Sequence, residues 1–427
     1  MKFILSFVLL LAFFAFSCKS PTAPSNNGSI SLSLEQAAST EAWLKLTASD
    51  VTLPVNLMIR SGNTILFNSN VSSSDSFIYI DSLLPNRSYL LQGFFTTNNI
   101  QQTTNKVTFT TMDTTSNNFT WQTFTFGGNA GSCNLYDVAI VNDTLAYAVG
   151  SIYLTDSTGQ PDPNAYNLVK WNGENWKLLR TQFYTFCNQS STGSYPTQAV
   201  IAISDTEIWT SSYTEVAVSS NSKEFRIICT PVQISKMFSF NNTVYTVGKN
   251  GNIGLYSNGA WQKIESGTTA DINDIWGINI NGNIKVYCAV SDFLQVSEHK
   301  ILTVTGGNKV DSVRWDVGRE IHSIWTETGF PIYTAGDGVF ENKLGYWEEE
   351  KQVSAFYSRN IRGSALNDIY VCGDYGFFAH YNGIRWTVFK NLYINGAYLS
   401  IAIKDNLVIA VGYLSNEQAV IIVGRRN

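Results

Sequence analysis

A short pattern recurs along the last three-quarters of this 427-residue chain, and an internal repeat of this kind decides the fold before any local reading does. Its fullest copy runs Asn367-Asp368-Ile369-Tyr370-Val371-Cys372-Gly373, then Phe377-Phe378-Ala379-His380-Tyr381-Asn382-Gly383-Ile384-Arg385-Trp386. Three other copies lead to Gly150 and then Asn172-Gly173-Glu174-Asn175-Trp176, to Gly248 and then Asn258-Gly259-Ala260-Trp261, and to Gly336 and then Gly345-Tyr346-Trp347. Weaker copies centre on Ile208-Trp209-Thr210, Val286-Tyr287-Cys288 and Val408-Ile409-Ala410-Val411-Gly412. Six intervals separate Gly150 from Gly412, about 44 residues each.

Each copy reads as four short strands. An apolar run such as Tyr398–Ile403 is the innermost, and Lys404-Asp405-Asn406 turns it into a second strand that ends in Gly, where blades crowd. Asn-Gly joins the third strand to the fourth, because both central residues of that hairpin need φ > 0. Trp opens the fourth strand and plugs the gap between neighbouring units. A four-stranded unit of this length has the size of a propeller blade, and the copies resemble the β-propeller repeats of secreted bacterial proteins. That resemblance implies a seven-bladed β-propeller over residues 113–427. The seventh copy ends at Asn427 without a Trp-bearing outer strand, whereas Phe119-Thr120-Trp121-Gln122-Thr123-Phe124-Thr125-Phe126 stands ahead of the first. This N-terminal strand is expected to complete the seventh blade and remove its open edge.

Residues 29–112 alternate apolar and polar side chains at period two over about seven short runs, the size and count of a small β-sandwich. Leu84-Pro85-Asn86-Arg87-Ser88-Tyr89 resembles the L-x-P-x-T-x-Y stretch of fibronectin type III modules, and Trp43 stands on the second strand, where that family keeps its core Trp. The resemblance implies a spacer or binding module, read here as a spacer. The whole is therefore expected to be all-β: a small sandwich followed by the propeller.

Ahead of both lies an address. Lys2 and the apolar stretch Phe3–Phe16 form a signal peptide over residues 1–17, too short to span a membrane. Ala15-Phe16-Ser17-Cys18 resembles the lipobox of bacterial lipoproteins in the looser form of the Bacteroidetes group. The resemblance implies cleavage before Cys18, acylation of that residue and an outer-membrane lipoprotein of the cell envelope; the side of the membrane is open. Acyl chains hold a membrane at about 0.8 kcal/mol per buried CH₂. Residues 18–28 are then anchor and Pro/Ser/Asn tether.

Composition narrows the chemistry. Charged residues are 14% and the net charge is −5, which argues against a nucleic-acid partner. Only three His are present, at unrelated positions, so no metal site and no cofactor are expected; no phosphate loop or nucleophile motif occurs. Links between blades and turns between second and third strands open on one propeller face. They carry Tyr153, Tyr184, Tyr213, Asp337, Asp374 and Tyr375, with Phe186, Tyr195, Trp315 and Lys249 nearby. This aromatic-rich face is the candidate site for a protein or glycan ligand. Asp271 and Asp274 precede an inner strand; carboxylates facing each other across an axis are the material of glycoside chemistry, but nothing in the spacing demands it. The four repeat Trp residues read as packing. The leading reading is a monomeric, non-catalytic, membrane-anchored protein that binds or scaffolds through this face. The alternative is a carbohydrate-active enzyme or glycan-binding accessory protein using the same face. Six cysteines less the anchor leave five, so one is unpaired within the chain. Cys288 and Cys372 read as buried thiols and Cys229 as strand-borne. Cys133 and Cys187, at the starts of neighbouring blades, are the expected disulfide.

Overall fold

Alternating and continuous apolar runs become strands almost everywhere in the computed structural model, which describes residues 28–187, 189–220, 224–280, 282–292, 298–353 and 356–427. The signal peptide, Cys18 and the tether up to residue 27 lie outside the described residues. Among those described, the protein is all-β, with one 3₁₀ turn at Lys390–Leu392. No helix among them is long and apolar enough to cross a membrane. The chain divides into two compact units. One holds the residues up to Ser33, Leu46–Ser76 and Leu91–Val107; the other holds Leu34–Lys45, Phe77–Leu90 and Thr108–Asn427. This division runs through strands of the N-terminal region and does not fall at residue 112.

The N-terminal seven strands form two sheets. Ser29–Ala37, Ala42–Ser49 and Asp75–Ile80 make a three-stranded sheet in that order. Thr64–Val71, Val55–Ser61, Ser88–Thr97 and Ile100–Thr110 make a four-stranded one. Within the larger unit, Trp43 is fully buried, its ring 5.6 Å from Tyr79 and 5.5 Å edge-on to Phe330. The expected core Trp therefore packs with a side chain of the repeat region.

Seven four-stranded antiparallel sheets follow. The first six are simple meanders: strands begin at Asn134, Ala199, Lys236, Ile272, Ile321 and Ser358, and each sheet ends three strands later. The seventh takes Gly396–Lys404, Leu407–Leu414 and Gln418–Arg426, and its fourth strand is Phe119–Gly127, in register from Gly127↔Gln418 to Phe119↔Arg426. The first strand of each sheet lies against the first strand of the next, and Gly396–Lys404 lies against Asn134–Asn142. A two-stranded hairpin, Phe183–Tyr184 with Thr192–Gly193, stands between the first and second sheets.

Burial explains the sequence pattern. Second strands such as Asp368–Gly373 are buried at every residue because neighbouring sheets cover both faces, so they read as continuous apolar runs. Fourth strands such as Ala260–Glu265 are mostly exposed, with Ile264 buried and Trp261 half-buried. The repeat Trp residues pack as expected: Trp176 sits 5.1 Å from Trp171 and Trp347 4.8 Å from Trp315.

Two details differ from the expectation. The Gly that closes a second strand is required by its own sheet, not by a neighbouring blade: a Cβ on Gly150 or Gly373 would overlap the carbonyl oxygen of Asn134 or Tyr357, at the entry to the first strand. The Asn-Gly turns are also of two kinds. Asn258 and Gly259 both have positive φ, the two-residue type that matches strand twist. At Asn172-Gly173 and Asn382-Gly383, where Trp follows one residue later, only Gly is left-handed. There the Asn Oδ1 accepts the N–H groups of Glu174 and Asn175, or of Ile384 and Arg385.

Candidate functional site

The first strands carry an irregularity that builds the centre of the larger unit. In five of them the register against the second strand slips by one residue, at 136, 273, 322, 359 and 399. A bulge of this kind re-aims the next side chain. That side chain is Asp137, Asp274, Ser323, Asn360 or Ser400, polar in every case. Four of them accept the backbone N–H one residue further along the adjacent first strand: Asp137 from Val200 (3.1 Å), Asp274 from Ile324 (3.1 Å), Ser323 from Ile361 (3.1 Å) and Asn360 from Ile401 (3.0 Å). The same position is held by Ala199 and Lys236 in the second and third sheets. These first-strand edges face no further strand, so their N–H groups need such acceptors. The result is a collar of polar side chains tying sheet to sheet.

Two cations complete the collar. Lys236 Nζ donates to Asp137 Oδ1 at 2.6 Å and to the Tyr136 carbonyl at 3.3 Å, and Ser400 Oγ donates to the same Asp137 oxygen at 2.7 Å. Arg362 grips Asp274 through both nitrogens, at 2.7 and 2.6 Å, and also donates to Ser323 Oγ and the Ile361 carbonyl. Its guanidinium lies 5.2 Å from the Trp276 ring centre. Burial works to raise the Asp274 pKa, but Arg362, then Lys236 and the Ser323 hydroxyl, hold the carboxyl below its ordinary range. Asp274 lies inside the strand Ile272–Ile280, not ahead of it, and Asp271 is spent elsewhere, accepting the Asn250 N–H. His322, beside the collar, is pushed down to about 4 by burial and then by Arg359, so it is neutral near pH 7.

Beyond the collar, toward the turns joining first to second strands, lies a cavity of ≈ 310 Å³. Its polar end holds Asp137, Lys236 and Ser400, and its walls include Phe238, Trp276 and Ile403. None of the six face residues named from the sequence lines it.

Those six fall into separate groups at the opposite ends of the strands. Asp337 N–H donates to the Glu320 carbonyl, Tyr357 Oη donates to Glu320 Oε1 at 2.6 Å, and Asp374 N–H donates to the Tyr357 carbonyl. Asp374 is clamped by Arg359 at 2.8 and 3.2 Å. Next to it Tyr375 is 59% exposed, in the left-handed region at φ 59°. Its ring centre is 5.0 Å from Phe356, which is 6.1 Å from Tyr393. Asp337, Asp374 and Tyr375 are thus gathered with Phe356, Arg359 and Tyr393, which the sequence reading missed. The available signal was aromatic residues in the short links ahead of the sixth and seventh sheets. Tyr153 and Tyr213 form another group around Tyr136, whose phenol is pushed up chiefly by burial. Tyr184 belongs to the small hairpin, paired with Thr192. Trp315 packs against Phe340 and Trp347 and is not displayed on the face.

The expected cysteine pairing is corrected. Cys187 is bonded to Cys229, with Cα atoms 5.8 Å apart, and Cys133 is a buried free thiol, as are Cys288 and Cys372. Cys229 ends the outer strand Glu224–Cys229, which brings it to the tip of the Phe183–Gly193 hairpin. Cys133 instead turns inward, toward the Gly131 and Tyr153 carbonyls, and accepts the Tyr153 N–H.

No family model matches the chain, and no curated protein matches it. Among solved structures, it is similar to the extracellular domain of a protein described as a one-component system from B. thetaiotaomicron, at 11% identity and TM-score 0.45, over 68% of this chain and 40% of that one. It is similar to Saccharomyces cerevisiae Sqt1 at 8% identity and TM-score 0.43, over 70% of this chain and 97% of that one. The sensor domain of the anti-sigma factor RsgI4 of Pseudobacteroides cellulosolvens matches 20% of this chain and 95% of its own, at 17% identity and TM-score 0.16. At these scores none of the three bears on function.

Proposed function

We propose that this chain is an exported lipoprotein, anchored through Cys18, that binds a partner without catalysis through the face bearing Tyr375. The observation that carries the reading is the cluster of Phe356, Tyr375 and Tyr393, each at least 36% exposed, with the Phe356 ring against both tyrosines. Exposed aromatic clusters backed by a fixed polar pair are a common basis of recognition, and the Arg359–Asp374 clamp supplies that support. Asp274, held by Arg362 below its ordinary range, is a poor general acid, and Asp137 is engaged in an ion pair with Lys236.

The architecture in this reading is a seven-bladed propeller over residues 113–427. It is supported by seven successive four-stranded sheets, by first strands that neighbour one another in sequence order and from last to first, and by Phe119–Gly127 as the seventh sheet's fourth strand. A fibronectin type III-like spacer is supported by Leu84 N–H donating to Tyr89 Oη at 2.8 Å, the back-bond of a tyrosine corner.

The second reading, a glycan-binding accessory protein using the same face, is favoured by the same three rings, since sugars stack on exposed aromatic planes. Glycan-array binding and a hydrolysis screen on the wild type and on Phe356→Ser/Tyr375→Ser test both. Binding lost in the double variant without hydrolysis supports the proposal and names the ligand class. Hydrolysis by the wild type overturns the non-catalytic reading. For the anchor, Cys18→Ser is expected to move the protein to the soluble fraction and abolish palmitate labelling; a variant that still sediments and labels refutes it.

A further inference from the structure

The central cavity, on the other side of the collar from the Tyr375 face, has features that the collar's structural role leaves unused. Asp137 is fully supplied: Lys236, the Ser400 hydroxyl and the Val200 N–H all donate to it. Lys236 is not. An ammonium has three N–H donors, and among the described residues Lys236 Nζ has two acceptors, Asp137 and the Tyr136 carbonyl. Its side chain is 15% exposed and lines the cavity. The other cation is different, because both terminal nitrogens of Arg362 are held by Asp274, and Nη1 is shared further with Ser323 and two carbonyls. The polar end of the cavity therefore offers the third N–H of Lys236.

Apart from Arg362 and Ser239, the rest of the lining is apolar. Counting from the collar, the residue two further along each first strand is Ala139, Ile201, Phe238, Trp276, Trp325, Arg362 and Ala402. Period two in a strand puts these side chains on the collar's side. Phe238 and Trp276 are 5.9 Å apart and form one wall, while Ala139 and Ala402 leave the space opposite. The Trp276 Nε1 is already spent on the Thr326 carbonyl. A volume of ≈ 310 Å³ lies at the small end of ligand sites, roughly 300–1,000 Å³.

We propose that this cavity binds a small organic acid, with an apolar or aromatic body between Phe238, Trp276 and Ala402 and its carboxylate on the third N–H of Lys236. A charge-assisted hydrogen bond in so sheltered a place favours the carboxylate over a neutral acceptor of the same shape. This site needs neither the lipid anchor nor the Tyr375 face, so it stands or falls alone.

The test is calorimetric titration of the full chain with phenylacetate and with the neutral benzyl alcohol. Phenylacetate is expected to bind with a dissociation constant near or below about 1 mM, and benzyl alcohol about tenfold or more weakly. Ala402→Trp fills the cavity and is expected to abolish both. Lys236→Met is expected to remove the preference for the acid. Should Lys236→Met fail to fold, the wild-type preference and its loss in Ala402→Trp decide. Equal affinity for the two probes, no binding of either, or binding that survives Ala402→Trp overturns the proposal.

Discussion

Removing either half of the Asp274–Arg362 pair should cost far more than removing both. Asp274 is 1% exposed and Arg362 14% exposed at the side chain. Breaking a buried pair from one side leaves an uncompensated charge and typically costs about 3–5 kcal/mol, whereas replacing both partners with apolar groups of similar volume is often neutral or better. Asp274→Leu also strips the Ile324 N–H and the Ser323 hydroxyl of their acceptor, adding roughly 1–3 kcal/mol; Arg362→Met does not. The expected order of loss is therefore Asp274→Leu, then Arg362→Met, then the double variant. At roughly 2–4 °C per kcal/mol, the single variants melt on the order of 10 °C lower. The acid side has a definite sign. A carboxyl held below its ordinary value gives stability that is present above 3.8, the ordinary value, and is lost as pH falls through the lower folded value. In Arg362→Met that loss vanishes, so wild type and variant converge in acid. Urea unfolding followed by tryptophan fluorescence and far-ultraviolet dichroism, from neutral to acid pH, measures all four corners of the cycle. Single losses below about 1 kcal/mol, or losses additive within about 0.5 kcal/mol, would refute the account of the collar.

Gly373→Ala drives a Cβ into the Tyr357 carbonyl oxygen and is expected to cost at least about 1–3 kcal/mol by urea titration. Glu341 is pushed up to about 8 by burial and then by Glu41, so it costs stability progressively as pH rises from its ordinary 4.5 through about 8; the melting-temperature advantage of Glu341→Gln should grow over that window. Reduction of Cys187–Cys229, separated by 42 residues, should lower stability by up to about 4 kcal/mol on the chain-entropy account. Peptide mapping without reductant should recover Cys133 alkylated and Cys187 linked to Cys229. Deleting residues 113–127 removes the partner of Gln418–Arg426, and aggregation in light scattering is expected from the exposed edge.

The repeat was legible because its punctuation is chemical. Gly150 and Gly373 tolerate no Cβ, Gly259 and Gly345 sit at positive φ, and the Trp residues begin rim strands. The fourth strand of the seventh sheet was legible because the seventh copy ends without a Trp-bearing outer strand and Phe119–Phe126, ahead of the first copy, is one. The collar was not legible. Its members are Asp, Lys, Ser, Asn and even Ala at one structural position, and a bulge displaces them by one residue from the strand period, so no pattern in residue type marks them. Its strongest link joins residues 88 apart. The disulfide was misread for a related reason: which thiol meets Cys187 depends on where the outer strand ends, and proximity in the order of sheets does not report that. On the face, long insertions drew notice to Tyr153 and Tyr184, whereas the exposed cluster sits on short links.

The most direct measurement is site-specific photo-crosslinking on intact cells. A photoreactive residue replaces Tyr375 in one strain and Asp405, exposed in a first-to-second-strand turn at the other end of the sheets, in another. The account predicts a discrete adduct from position 375, removed by Phe356→Ser, and none from position 405. An adduct from position 405 alone, or none from position 375, would contradict it.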